Sequence, residues 1–198
     1  MERLLKVKAD RGIMLLWRKE KVKVSLVFKD EQSVNAVVEL SNSKYCLISA
    51  IYASTDIKRR GYLWKRLSEL ELSNIPWLIA GDMNCIVKAS EKRGGRPFQL
   101  KKSNWDFIEF MNKAGLQDAS YVGPRFTWSN KRQGDKRIMA RLDRVLYNIK
   151  WVEWNFNIRV EHMQMMDSDH RSMLVSCDNK KRARGARKSF VFEHFLLE

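Results

Sequence analysis

A chain of 198 residues with 44% apolar side chains can bury one sizeable core, and no apolar run reaches the roughly 18–20 residues of a membrane span. Its 38 basic and 23 acidic residues leave a formal charge of +15, which points to a polyanionic partner, nucleic acid before anionic membrane; the plainer reading is solvated surface plus one basic tail. Cys46, Cys85 and Cys177 are widely separated and form no Cys-x-x-Cys pair, which argues against a disulfide framework or a zinc site and fits reduced thiols in an intracellular protein.

The opening residues are basic and lack the apolar core of a signal peptide. Residues 21–28 and 34–40 alternate around a polar turn and read as a hairpin; residues 44–52 form a third, more apolar strand ending at Tyr52. Between Asp56 and Asn74, apolar residues at helical spacing predict an amphipathic helix. Pro76 to Asn84, PWLIAGDMN, is an apolar run that breaks at a glycine and reads as a buried strand with its polar residues at the end. A basic loop follows, in which Gly94, Gly95 and Pro97 exclude regular structure. A second amphipathic helix runs from Ser103 to a stop at Gly115, with Trp105 expected on its core face. Residues 126–130 alternate, 137–148 fit helix or strand equally, 157–163 alternate as a strand, and 168–177 pass from polar residues into an apolar strand. Residues 180–188 have no apolar periodicity and read as a loosely attached basic arm, so the domain is placed at 1–178 and a basic linker or tail at 179–198. The last stretch, FVFEHFLLE, reads either as a strand that docks back or as the start of something longer.

Residues two apart on a strand face one way, so Asp82 and Asn84 are expected to project together, although Asp-x-Asn after glycine is also a common turn. Gathered with Tyr52, Asp143, Asp169 and His170, they offer hard oxygen donors suited to magnesium or manganese, and an imidazole that can hold a proton. Such a set equips a site for metal-assisted attack of water on a phosphodiester. Arg93, Arg96, Lys101 and Lys102 in the basic loop, with Trp128 and Arg132, are the candidate nucleic-acid contacts.

GDMN at 81–84, FTWSN at 126–130, RLDRVL at 141–146 and SDH at 168–170, in that order, resemble the endonuclease/exonuclease/phosphatase superfamily. Within it the sequence is most similar to the endonuclease domain of plant LINE-type (non-LTR) retrotransposons, where counterparts of IYAS (51–54), EKRGGRP (91–97) and KSFVFE (188–193) also occur. The resemblance implies a four-layer α/β sandwich, two mostly antiparallel sheets packed face to face and flanked by helices. It implies that Asp82 and Asn84 position the attacking water and the scissile phosphate, that Tyr52 contacts the phosphate, and that His170, oriented by Asp143, stabilises developing charge or acts as acid or base. Asp169 would lie close to a Mg2+ or Mn2+ ion, DNA would be the substrate, and the basic run at 180–188, nuclear-localisation-like in composition, would be a linker toward a reverse transcriptase. Family members begin with an Asn-x-Arg-Gly strand and a second strand ending in a metal-binding glutamate, and this sequence starts after both. The expectation is therefore an N-terminally truncated domain with weak metal binding, little or no nuclease activity and an exposed sheet edge; the alternatives are a non-catalytic nucleic-acid-binding remnant or a pseudogene product.

Overall fold

The structure is a computed structural model that describes residues 4–8, 12–40, 43–70, 74–154, 156–179 and 190–194. Strands β1 (Leu4–Lys8) and β2 (Met14–Arg18) form a hairpin that the sequence pattern did not reveal. Next come β3 (Lys23–Lys29) and β4 (Ser33–Glu39), joined by a turn in which Asp30 Oδ1 accepts the N–H groups of Gln32 and Ser33. β5 (Tyr45–Tyr52) leads into helix α1 (Ile57–Ser68), capped by Asp56, whose side chain accepts the Arg59 N–H. β6 (Trp77–Asp82) precedes a single 3-10 turn and the two-residue strand β7 (Lys92–Arg93), so the basic loop holds more order than its glycines suggest.

Helix α2 (Lys102–Lys113) stops before Gly115, which turns the chain at φ 60° into β8 (Leu116–Asp118). Short strands β9 (Tyr121–Val122), β10 (Trp128–Ser129) and β11 (Met139–Ala140) follow. The ambiguous stretch 137–148 resolves as β11 and strand β12 (Asp143–Asn148), not a helix, because it pairs on both sides with β6 and β8. After helix α3 (Ile149–Glu153) come β13 (Phe156–His162), β14 (Met173–Asn179) and β15 (Phe190–His194), which docks antiparallel against β14. The basic arm at 180–188 lies outside the described residues.

A six-stranded sheet, ordered β3-β4-β5-β6-β12-β8, is antiparallel except for the β5–β6 pair; a four-stranded sheet runs β15-β14-β13-β9. Alternation along the central strands splits their side chains between two cores. Leu47, Ile51 and Ile79 pack on α1 and α2 through Leu63, Trp64, Phe107 and Phe110. Cys46, Ile48, Leu78 and Ala80 face Val160, Met173 and Val175 of the second sheet, which makes the two sheets a sandwich. The β1–β2 hairpin extends that second layer, setting Ile13 and Leu15 over Val34, Ala36 and Ala50. The result is the α/β sandwich expected from the sequence. Trp77 is core as expected, whereas Trp105 is 55% exposed: α2 buries Phe107 and Phe110, and Trp105 falls outside that face. Among the described residues no helix is long and apolar enough to cross a membrane.

Candidate active site

Register brings three of the candidate residues together. Tyr52 pairs with Asp82 across β5–β6, and Asp82 pairs with Asp143 across β6–β12, so the three share one face at one end of the six-stranded sheet. That face is the one turned toward the second sheet. The β13–β14 connection crosses the end of the sandwich there and delivers His170, whose backbone bridges to Trp128.

The strands can approach this closely because Gly81 has no side chain. A Cβ there would sit 2.0 Å from the Ile51 carbonyl oxygen, and Gly81 also holds φ at +140°. Asp82 is 1% exposed and Asp143 is fully buried. Thr127 Oγ1 accepts the N–H groups of Leu142 and Asp143 at 3.0 Å each, pinning the start of β12. The sequence showed Thr127 only as the second residue of FTWSN, with no sign of this work.

Asn84 joins Asp82 by a different route from the one expected. β6 ends at Asp82, and Asn84 lies beyond it with φ 45°, so strand alternation does not align the two. A turn does: Asp82 Oδ1 accepts the Asn84 N–H at 2.7 Å, and Oδ2 accepts its Nδ2 at 2.8 Å. The same Nδ2 donates to the Ala53 carbonyl at 2.7 Å, tying the turn to the end of β5.

His170 Nδ1 donates to Asp143, 2.9 Å from Oδ2 and 3.2 Å from Oδ1, and its Nε2 stands 4.0 Å from Asp82 Oδ2. Burial by itself lowers the imidazole's pKa, but the Asp143 hydrogen bond and charge, then Asp82 and Asp169, outweigh it and push the value up to about 9. Asp82 is pushed up to about 7, first by burial and next by the charge of Asp143; His170, the Asn84 N–H and Arg60 pull the other way. Ligand atoms of Asp82, Asp143 and His170 lie within 4.8 Å of one another. Asp169 is outside that set, and its Oδ2 accepts the Trp128 indole N–H at 2.7 Å.

Behind the site lies a buried ion network. Arg144, 1% exposed, binds Glu91 (2.5 and 3.0 Å) and Asp118 (2.6 Å), and Arg141 binds Asp118 (2.6 Å) and Glu91 (3.3 Å). Glu91 also accepts the Val87 N–H, so the network clamps the loop after Asn84 to the strand that carries Asp143. Burial raises the pKa of both carboxylates, but the two arginines overcome it and hold them below their ordinary values. Of the expected nucleic-acid contacts, Arg93 on β7 joins Trp128 on β10 in one small sheet, through β11. Arg96 and Arg132 are exposed near its ends, and exposed Lys101 and Lys102 open α2, which Asn104 ties to Ile86 just past the Asp82–Asn84 turn.

This sandwich, with its polar end, is the fold of endonuclease/exonuclease/phosphatase nucleases, the fold class that the motifs implied. The endonuclease domain of TRAS1, a telomere-specific non-LTR retrotransposon, is similar with a TM-score of 0.64 and 16% identity, covering 87% of this chain and 78% of that one. The 3′ phosphatase NExo from Neisseria, bound to a product DNA hairpin, matches with a TM-score of 0.55 and 16% identity over 80% of this chain and 70% of its own. An AP endonuclease from Archaeoglobus fulgidus gives 0.54 and 14%, again over 80% and 70%. No protein-family model and no curated protein sequence matches the chain.

Proposed function

We propose that the chain is a divalent-metal-dependent phosphodiesterase acting on DNA, of the retrotransposon-endonuclease kind. The observation that carries this reading is the strand register that sets Tyr52, Asp82 and Asp143 side by side under His170. The donor set fits a hard cation, because the Asp82 carboxylate and the Asn84 carboxamide are oxygen ligands and burial leaves the Asp82 charge without a lysine or arginine ion pair among the described residues. Magnesium or manganese held there would supply charge neutralisation at the scissile phosphate. Asp82 and Asn84, locked to each other, orient the attacking water. Asp143 holds Nδ1–H of His170, which keeps the imidazolium charged at neutral pH and leaves Nε2–H to donate to a non-bridging phosphate oxygen. Tyr52, 37% exposed at the mouth, contacts the phosphate, and Asp169 adds negative charge beside the cation.

Cleavage is weak on this reading. Asp143 is committed to His170 and Asp169 to Trp128, so among the described residues the cation rests mainly on Asp82. The test is nicking of supercoiled plasmid by the purified protein over a titration of Mg2+ and of Mn2+. Slow nicking that needs high metal and vanishes in Asp82→Ala and His170→Ala is expected; no nicking at any metal concentration would overturn the assignment. A second reading, a nucleic-acid-binding module without cleavage, draws on the charge of +15, and salt-sensitive DNA binding without nicking would establish it.

A further inference from the structure

In the sequence Gln32 is one more polar residue of the turn between β3 and β4, yet it is 6% exposed and joins three elements at the mouth of the site. Its carbonyl accepts the Tyr52 N–H at 2.9 Å, its Oε1 accepts the Ser54 N–H at 2.7 Å, and its Nε2 donates to the Arg59 carbonyl of α1 at 2.9 Å. Gln32 is itself seated, because Asp30 Oδ1 accepts its N–H. From the other side the Ala53 N–H donates to the Asp82 carbonyl at 2.8 Å, and Asn84 holds the Ala53 carbonyl. Arg60, 7% exposed, closes the arrangement by donating through Nη1 to the Ser54 carbonyl (2.7 Å) and the Thr55 carbonyl (3.3 Å). Among the described residues it has no carboxylate within salt-bridge distance, and its charge acts on Asp82.

A chain leaving a strand at the surface normally gives its backbone groups to water and moves. Here Ala53 and Ser54 are buried and their N–H and carbonyl groups all have protein partners, so the segment just after Tyr52 is fixed although it belongs to no strand. Helix α1 does not require this by itself, since Asp56 already caps its first turn. The bonds converge instead on residues 52–54: Gln32 holds the N–H groups of Tyr52 and Ser54, and Asp82 holds the one between them. We propose that Gln32, with Arg60, is a positioning residue for Tyr52, acting through the backbone to fix where the phenol meets the phosphate relative to Asp82. The placement stands on these bonds, and the phosphate as its object rests on the phosphodiesterase reading. Without Gln32 the Ser54 N–H is left buried and unpaired, a state the segment relieves only by shifting, and Tyr52 shifts with it.

Fluorine NMR of the full chain carrying fluorotyrosine tests the placement without catalysis. The Tyr52 resonance, assigned by its loss in Tyr52→Phe, should move or broaden in Gln32→Met, which keeps the length of the side chain but neither donor nor acceptor. The Tyr147 resonance, toward the other end of β12, should stay in place. Arg60→Lys, which keeps the charge but loses the forked donor, should also displace the Tyr52 signal, and it carries the test if Gln32→Met fails to fold. In the plasmid assay at saturating Mg2+, Gln32→Met should slow nicking about tenfold in the parent and add no further slowing to Tyr52→Phe. A general loosening of the fold would instead slow nicking in both backgrounds. A Tyr52 resonance unmoved in both variants, or slowing that multiplies with Tyr52→Phe, would overturn the proposal. If the parent does not nick at all, the phosphodiesterase reading falls and the fluorine spectra alone decide whether Gln32 and Arg60 place Tyr52.

Discussion

Asp82 is the residue at which stability and chemistry pull apart. It is buried, it lies beside a second carboxylate, and its nearest cation is an imidazolium at 4.0 Å. Its pKa rises from an ordinary 3.8 to about 7, so between those values the folded chain keeps a proton that the unfolded chain releases. Folding stability therefore falls as pH rises through that window. His170, moved from 6.5 to about 9, extends the fall: its contribution is complete below pH 6.5 and is lost as pH passes about 9. Urea unfolding of metal-free protein from pH 5 to pH 9 should show this decline. Asp82→Asn should flatten the part between pH 5 and 7 and leave the variant more stable than the parent at pH 8, by on the order of 1 kcal/mol. A parent whose stability rises with pH across this range would contradict the assignment.

At the scale of the element, the site depends on how tightly β5, β6 and β12 lie together. Gly81→Ala places a Cβ against the Ile51 carbonyl at a backbone angle that alanine rarely adopts. The loss should be about 2–3 kcal/mol in denaturant unfolding, and nicking should fall with it, because the displaced strand carries Asp82. The Arg141/Arg144/Glu91/Asp118 network braces the same strands from behind. Removing one partner of a buried pair leaves the other charge uncompensated, so Glu91→Gln should cost about 3 kcal/mol. The double replacement Glu91→Leu with Arg144→Met should cost less than Glu91→Gln alone, since it removes both charges and keeps the volume. These elements were unevenly legible. Apolar periodicity located β3 to β6, both long helices, β13 and β14. It could not show that 143–148 is a strand, because that depends on pairing with residues more than 50 positions away. Nor could it show that Asn84 turns back on Asp82, since a strand's alternation and an Asx turn put the same two residue types at the same spacing.

Over the whole molecule, a charge of +15 accompanies a site whose own centre is acidic, an arrangement that on the proposed reading would draw in a polyanion and place a cation between carboxylate and phosphate. Mg2+ or Mn2+ should therefore raise the melting temperature at pH 8, by the equivalent of about 2.7 kcal/mol of stability when the metal is at about a hundred times its Kd. Asp82→Asn should abolish the rise, and an equal rise in the variant would place the metal elsewhere. The amino-acid order sets which groups are available: an apolar strand closed by Gly-Asp-x-Asn, an Arg-Leu-Asp and a Ser-Asp-His, with enough apolar residues to bury a sandwich and an excess of basic residues. Which of those groups meet depends on how distant elements pack. Tyr52, Asp82 and Asp143 meet through strand register, His170 reaches them across the gap between two sheets, and Asp169 goes to Trp128. The physical reason is that composition and spacing report which face a residue occupies within its own element. The partner of a buried polar atom is set by which distant element packs there, and that contact leaves no periodicity to read.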